Sequence, residues 1–324
     1  MMIMLKRYGS LILMAFLLAS CAHHGVKRTP VAVQPTIYKS TTQYKPVPGF
    51  SQVEAQGQIN VTLHTGYRKP QVVLRGDPRD LEQVKVFVSL NTLHVVLGKG
   101  FPHHGAVHAD IQGPYLARFS FKGEGTITGS QLRTGSLDLF IANTGTTRLG
   151  GSIGLHQLVV AGNGYTEVSG VNSSDVKITF LQGSPKVQLS GVANITTLNM
   201  KSDAWFSMYW LKSDSLTIRA KDRARIQLAG TANRLDVELW GRAHFKGRYL
   251  RAQRSFVRTH GHSIAEISSV NHQSTLATDA SDIFYYNLPN TREDFMAYDG
   301  SVLDMREWDR VDLRDFDRYN KQFP

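Results

Sequence analysis

The chain is 324 residues long, with 37 Lys and Arg against 26 Asp and Glu, 28 Gly, 11 Pro and a single Cys. An apolar content of 41% supplies a buried core and excludes a wholly disordered chain. One cysteine excludes an intrachain disulfide and any multi-cysteine zinc or iron–sulfur centre.

At the N-terminus, Lys6 and Arg7 precede the apolar run from Leu11 to Leu18. That run is too short to span about 30 Å of hydrocarbon and suits the core of a secretory signal. It ends in Leu18-Ala19-Ser20-Cys21, which resembles a bacterial lipobox. Leu18, Ala19 and Ser20 fit a signal-peptidase cleft, and the Cys21 thiol is the nucleophile that accepts a diacylglyceryl group. Residues 1–20 are therefore expected to be a lipoprotein signal peptide, and membrane lipid the first partner. Several acyl chains, each methylene contributing about 0.8 kcal/mol, make a lasting anchor. Ala22 stands where an inner-membrane retention Asp would be, and the resemblance implies a lipid-anchored protein of the bacterial outer membrane, periplasmic or surface-exposed. Residues 21–49 carry His23, His24, Pro30, Pro35, Pro46 and Pro48 with little apolar periodicity, the composition of a flexible tether.

Globular patterning starts near Phe50. Residues 58–63, 71–74, 84–88 and 93–97 are short β-branched runs separated by turn residues such as Gly66, Gly76-Asp77-Pro78 and Gly98-Lys99-Gly100. From about residue 112 a repeat of about 20 residues emerges. A small residue closes a strand-like segment at Gly129, Gly150, Gly170, Gly191 and Gly230, which are assigned as structural turns. A second phase runs through Leu137, Leu158, Val176, Leu198, Leu216, Leu235, Phe256 and Leu276. Each unit reads as strand, tight turn, strand and Gly. Twenty residues are too few for a propeller blade, and helical segments for leucine-rich repeats are lacking. The pattern predicts an all-β fold, a right-handed parallel β-helix (β-solenoid) with coils of about 20 residues stacked at about 4.8 Å.

With those segments in hand, residues 50–305 resemble the auto-transporter adhesin, head GIN domain family of bacterial secreted proteins. The resemblance lies in Phe50-Ser51-Gln52-Val53, Gly57-Gln58-Ile59-Asn60-Val61, Val72-Val73-Leu74-Arg75-Gly76-Asp77, Leu93-His94-Val95, the Gly-turn repeats, and Asp282-Ile283-Phe284-Tyr285-Tyr286 before Pro289. It implies a β-helix over residues 50–290 and a surface or periplasmic location, and it assigns no catalytic residue. The aromatic stretch from Trp205 to Trp210 departs from the pattern by replacing a Gly-rich corner. A self-secreting membrane barrel needs at least eight strands of about ten residues, which the 36 residues after Leu288 cannot supply.

Residues 291–324 change composition to an acidic stretch with Phe295, Met296, Trp308, Phe316 and Tyr319 among the charges. Two readings follow, a cap over the last coil and a docking segment for envelope proteins. Loss of Lys6 and Arg7 with the signal takes the net charge from +11 to +9, and residues 212–258 hold twelve basic groups against four acidic. Arg219, Lys221, Arg223, Arg225, Arg242, Lys246 and Arg248 are the candidate polyanion-binding set, for an anionic glycan or lipopolysaccharide, with a merely solvated surface as the alternative. Trp205, Tyr209, Trp210, Trp240 and Tyr249 could stack on sugars.

The carboxylates Asp203, Asp214, Asp222 and Asp236 are the candidates for catalysis, since glycoside hydrolysis needs two held about 5 to 9.5 Å apart. No pair stands out from ordinary turn aspartates. His103, His104 and His108 lie in a loop without the partners a metal site demands. No cofactor, metal or catalytic residue is assigned. The expected function is a non-enzymatic, adhesin-like binding or scaffold surface on the envelope; a polysaccharide-active β-helix lyase or hydrolase is the alternative.

Overall fold

The computed structural model describes residues 40–306. Its repeating part is eight long bent strands, one to a rung: β9 (Ile127–Asn143), β10 (Thr146–Gly162), β11 (Tyr165–Gly183), β12 (Lys186–Met200), β13 (Trp205–Ala220), β14 (Arg225–Leu239), β15 (His244–Thr259) and β16 (Ile264–Thr278). Successive rungs pair in parallel. Thr146 sits beside Tyr165, Tyr165 beside Lys186, Lys186 beside Trp205 and Trp205 beside Arg225, so a rung takes about twenty residues. The result is a β-solenoid of about 9 turns.

Shifts in register divide a rung into three straight runs; in β10 they fall after Leu149 and between Ile153 and Gln157. Within each run side chains alternate in and out, and the inward ones stack. One column follows the first run through Ile127, Thr147, Thr166, Val187, Phe206, Ile226, Phe245, Ala265 and Ile283, all buried. Another follows the third run through Phe119, Leu139, Leu158, Ile178, Leu198, Ile218, Val237 and Val257. Between rungs, the ladder continues across the turns: the amides of Lys186, Trp205, Arg225 and His244 donate to the carbonyls of Gly164, Pro185, Ala204 and Ala224.

At the corner after the first run a side chain would point straight at the neighbouring rung. Gly170, Gly191 and Gly230 have positive φ there, and a Cβ on Gly230 would lie 2.1 Å from the Leu211 carbonyl oxygen. Two assignments from the repeat need correction. The corner residue of β10 is Gly151, at φ 134°, and not Gly150; and Gly129 pairs with the inward Leu149, facing Leu132 inside the core. Two adjacent glycines, or a small residue in the core column, look alike when only spacing is read.

The N-terminal strands do not stack in chain order. They are β1 (Thr41–Pro46), β2 (Gln52–Gln58), β3 (Asn60–His64), β4 (Gln71–Gly76), β5 (Val84–Ser89), β6 (Thr92–Leu97), β7 (His108–Gln112) and β8 (Arg118–Glu124). On one wall β9 is followed by β3, β7, β4 and β1; on the other by β8, β2, β6 and β5. The last additions, β4 with β1 and β5, are antiparallel and end the parallel stack. β1 falls within residues 21–49, so the expected tether is strand from Thr41 to Pro46.

A short helix α1 (Pro78–Leu81) closes this end, placing Leu81 in the core. Asp77 caps it and holds Arg79 through two side-chain bonds of 2.9 Å. The fully buried Asp80 accepts the amides of His103 at 3.0 Å and His104 at 2.7 Å, tying the helix to the loop beyond β6.

At the other end the ladder runs past residue 290. β17 (Asp282–Tyr285), β18 (Arg292–Tyr298) and β19 (Ser301–Asp304) pair in parallel, β17 and β18 on β16 and β19 on β17. Residues 292–304, part of the stretch expected to be a cap or a docking segment, are thus further rungs. Residues 307–324 lie outside the described residues.

Gly230→Ala should lower stability by about 1–3 kcal/mol, because the corner must open to admit a methyl group. Gly135→Ala, where a Cβ meets nothing within 4 Å, should stay within ~0.5 kcal/mol; chemical denaturation compares the two. Hydrogen bonding from Arg79 outweighs burial and holds the Asp77 carboxyl at about 2, below its ordinary 3.8. A depressed folded value stabilises above the unfolded one and is lost as pH falls through the folded one. The Asp77→Asn variant should therefore show a shallower fall in thermal midpoint between pH 3.8 and about 2 than the wild type.

Candidate functional site

Alternation along the first run turns one residue near the start of each rung outward, and register stacks them: Tyr165, Lys186, Trp205, Arg225 and His244 form one column. Neighbours in such a column are about 4.8 Å apart, so the Trp205 indole lies between two cations. The turn beside it adds Ser184, Asp203 and Arg223. With Tyr165, Lys186, Trp205 and Arg225 these line an open concavity of about 550 Å³.

The charges within it are not equivalent. Arg223 is engaged with Asp203, Nε to Oδ1 at 3.0 Å, and those hydrogen bonds raise its guanidinium pKa. Lys186 and Arg225, both exposed, have no carboxylate partner at ion-pair distance among the described residues. Burial, then the nearby Glu167, holds the Tyr165 phenol above its usual range, keeping it a hydrogen-bond donor; its hydroxyl donates to Gln188 Oε1 at 3.1 Å. The arrangement offers an aromatic face, two available cations and a hydroxyl, which together match an anionic sugar.

The basic residues singled out from the sequence do not share one face. Arg225 and Lys246 project from the first-run wall, Lys246 in the adjoining column between Gln227 and Glu266. Lys221, Arg223 and Arg242 belong to the turns. Lys221 lies 4.9 Å from the centroid of Trp240, which stacks in turn on His260 at 5.8 Å. Arg219 is on the third-run wall and is neutralised by Asp236 at 3.1 Å and Glu238 at 3.0 Å, where Arg258 also reaches both acids. Arg248 packs over Tyr249 at 4.8 Å and Tyr286 at 5.7 Å. Lys186 was missed, because it lies upstream of the densest basic stretch; propagating the twenty-residue register back from Arg225 would have found it.

The carboxylates weighed for catalysis are all engaged. Asp203 binds Arg223, Asp222 accepts the Ser202 amide at 2.9 Å, Asp214 accepts from Asn233 at 3.1 Å, and Asp236 holds Arg219. Of the loop histidines, His104 leans on buried Asp80 at 3.2 Å and His108 is exposed on β7. Among the described residues no group of three His, Cys, Asp or Glu side chains is placed to hold a metal. Leu18, Ala19, Ser20 and Cys21 lie outside the described residues.

A β-solenoid with a shallow, aromatic and cationic wall defines a protein that presents its chemistry on an outer surface. The chain belongs to the family described as "Putative auto-transporter adhesin, head GIN domain", whose model matches residues 49–197 and 171–289. Among solved structures it is similar to a "putative adhesin" from Parabacteroides merdae ATCC 43184 at 15% identity, over 82% of this chain and 96% of that one, with a TM-score of 0.45. A "putative adhesin" from Parabacteroides distasonis ATCC 8503 matches at 12% identity, over 82% and 97%, with a TM-score of 0.47. A "putative lipid binding protein" from the same organism matches at 12% identity, over 82% and 96%, with a TM-score of 0.40. No curated protein matches the chain.

Proposed function

We propose that this protein is an adhesin-like, non-enzymatic binding module of the bacterial envelope, held to the outer membrane by lipidated Cys21, whose first-run wall captures anionic polysaccharide or lipopolysaccharide. The observation that carries this reading is the column Lys186, Trp205, Arg225: an aromatic ring flanked on successive rungs by cations that no carboxylate among the described residues neutralises. Family membership supports a surface or envelope setting. Binding on such a wall is the sum of modest contacts. The ring stacks on a sugar face, while Lys186 and Arg225 meet anionic groups on either side. Envelope proteins contacting residues beyond Arg306 are a compatible second class of partner.

Capture of lipopolysaccharide and of polygalacturonate by the purified protein should weaken with rising salt, as screening of exposed charge requires. Lys186→Ala, Trp205→Ala and Arg225→Ala should each reduce affinity about tenfold, the equivalent of roughly 1.4 kcal/mol. Arg219→Ala, on the third-run wall, should leave it unchanged. Equal behaviour of the Arg219 and Arg225 variants in a titration, or binding indifferent to salt, would sink the reading. The anchor is checked separately: Cys21→Ser should move the protein from the membrane fraction to the soluble one.

A further inference from the structure

Trp210 occupies a backbone position that suits it poorly. Its φ is 64°, left-handed, at the corner between the first and second runs of β13. Two rungs earlier the equivalent corner is Gly170, at φ 71°; both residues lie two places beyond the paired column of Val168, Leu189 and Met208. Glycine adopts this conformation without a Cβ clash, whereas a bulky side chain does so at a cost. The fold does not enclose the side chain, since Trp210 remains 45% exposed. Strain retained at an exposed residue points to what the side chain presents.

What lies between Trp210 and Trp205 fits that view. Along the first run of β13, Phe206 and Met208 point into the core while Trp205, Ser207 and Tyr209 alternate outward. Ser207 shares its column with Gln188 and Gln227 yet is buried, so the wall dips between the aromatic groups. Trp205 and Tyr209 are four residue steps apart along the strand, about 13 Å. Lys186 and Arg225 flank the Trp205 end on the adjacent rungs.

We propose that β13 is a stacking track for a linear acidic oligosaccharide longer than a disaccharide, which lies along the strand and across the solenoid axis from Trp205 to Trp210. The proposal rests on the reading of the Lys186, Trp205 and Arg225 wall as a site for anionic glycan. It adds chain length and direction. The acidic groups of the ligand meet Lys186 and Arg225, and its distal sugar stacks on the Tyr209 and Trp210 pair.

Trp210→Gly separates a binding role from a structural one, because glycine is the residue the corner accommodates at position 170. Titration calorimetry of the full chain would use galacturonic acid dimer and hexamer, with thermal melts alongside. The wild type should bind the hexamer at least tenfold more tightly than the dimer. Trp210→Gly should melt at or above the wild-type temperature, bind the dimer unchanged and lose the hexamer advantage; Trp210→Asn, which also tolerates the left-handed backbone, should do the same. Full retention of that advantage in both variants overturns the track while leaving the Trp205 site standing. Failure of the wild type to bind either oligomer overturns the track and, where lipopolysaccharide is not captured either, the reading it rests on; a melting point several degrees lower in both variants overturns the claim that Trp210 is kept for what it presents.

Discussion

Parallel pairing at one rung per about twenty residues imposes a single condition from which the rest follows: whatever points inward on one rung must stack on what points inward on the next. The column from Ile127 through Phe206 and Phe245 to Ile283 meets it with residues of very different size. The bulkiest stretch, Phe206 to Phe245, is followed at once by Ala265, so a small residue takes up the space beside a large one. Once the inward set is fixed, the outward set is fixed too, because the pleat has a period of two. The same register that buries Phe206 places Trp205 outside, and the one that buries Ile226 places Arg225 beside it. The outward column of Lys186, Trp205 and Arg225 is thus a consequence of core packing, to which the adjoining turns add Ser184, Asp203 and Arg223.

The two ends of the stack solve the edge problem differently. At the N-terminal end the chain folds back, interleaving β2 and β3 between strands that follow them in sequence, and finishes with antiparallel β1 and β5. Asp80 locks that end: burial opposes its charge, but the His103 and His104 amides prevail and keep it below the ordinary carboxylate range. At the C-terminal end the core itself changes character. The inward column of Leu216 and Leu235 continues as Ser255, Gln273 and Glu293. Asn287 donates to both Gln273, at 2.6 Å, and Glu293, at 3.0 Å, while its own Oδ1 accepts the Ser269 amide at 2.8 Å. Pairing within this set keeps the buried polar groups at the end of the described stack satisfied.

How far the sequence could be read follows from the same geometry. Rungs β10 to β16 were legible because neighbours in space are neighbours in the chain, so alternation and turn spacing recur at one interval. The N-terminal rungs were not: Gln52 pairs with Thr92 on one side and Arg118 on the other, separations that leave no period to detect. Strand segments there could be placed, but their order could not. The site was half legible. Arg223, Arg225 and Trp205 were singled out, yet they were grouped with Arg219, because charge density along the chain does not distinguish the first-run wall from the third-run wall. Only register does, and register depends on bulges whose positions, as Gly150 and Gly151 show, spacing alone leaves uncertain by one residue.

That dependence also explains why charge on this molecule is a poor guide unless sorted by column. Arg219 and Arg258 sit over Asp236 and Glu238, a closed account of two cations and two anions on one wall. The turns hold another local balance, Arg223 with Asp203. What distinguishes the first-run wall is that its cations alternate with an aromatic ring, leaving Lys186 and Arg225 with no acid in their column between Tyr165 and His244. A net positive charge spread over all three walls would draw any polyanion weakly. In the proposed site, a column of cation, ring and cation at the strand repeat would discriminate by spacing as well as by sign, because the backbone ladder holds the three side chains one rung apart.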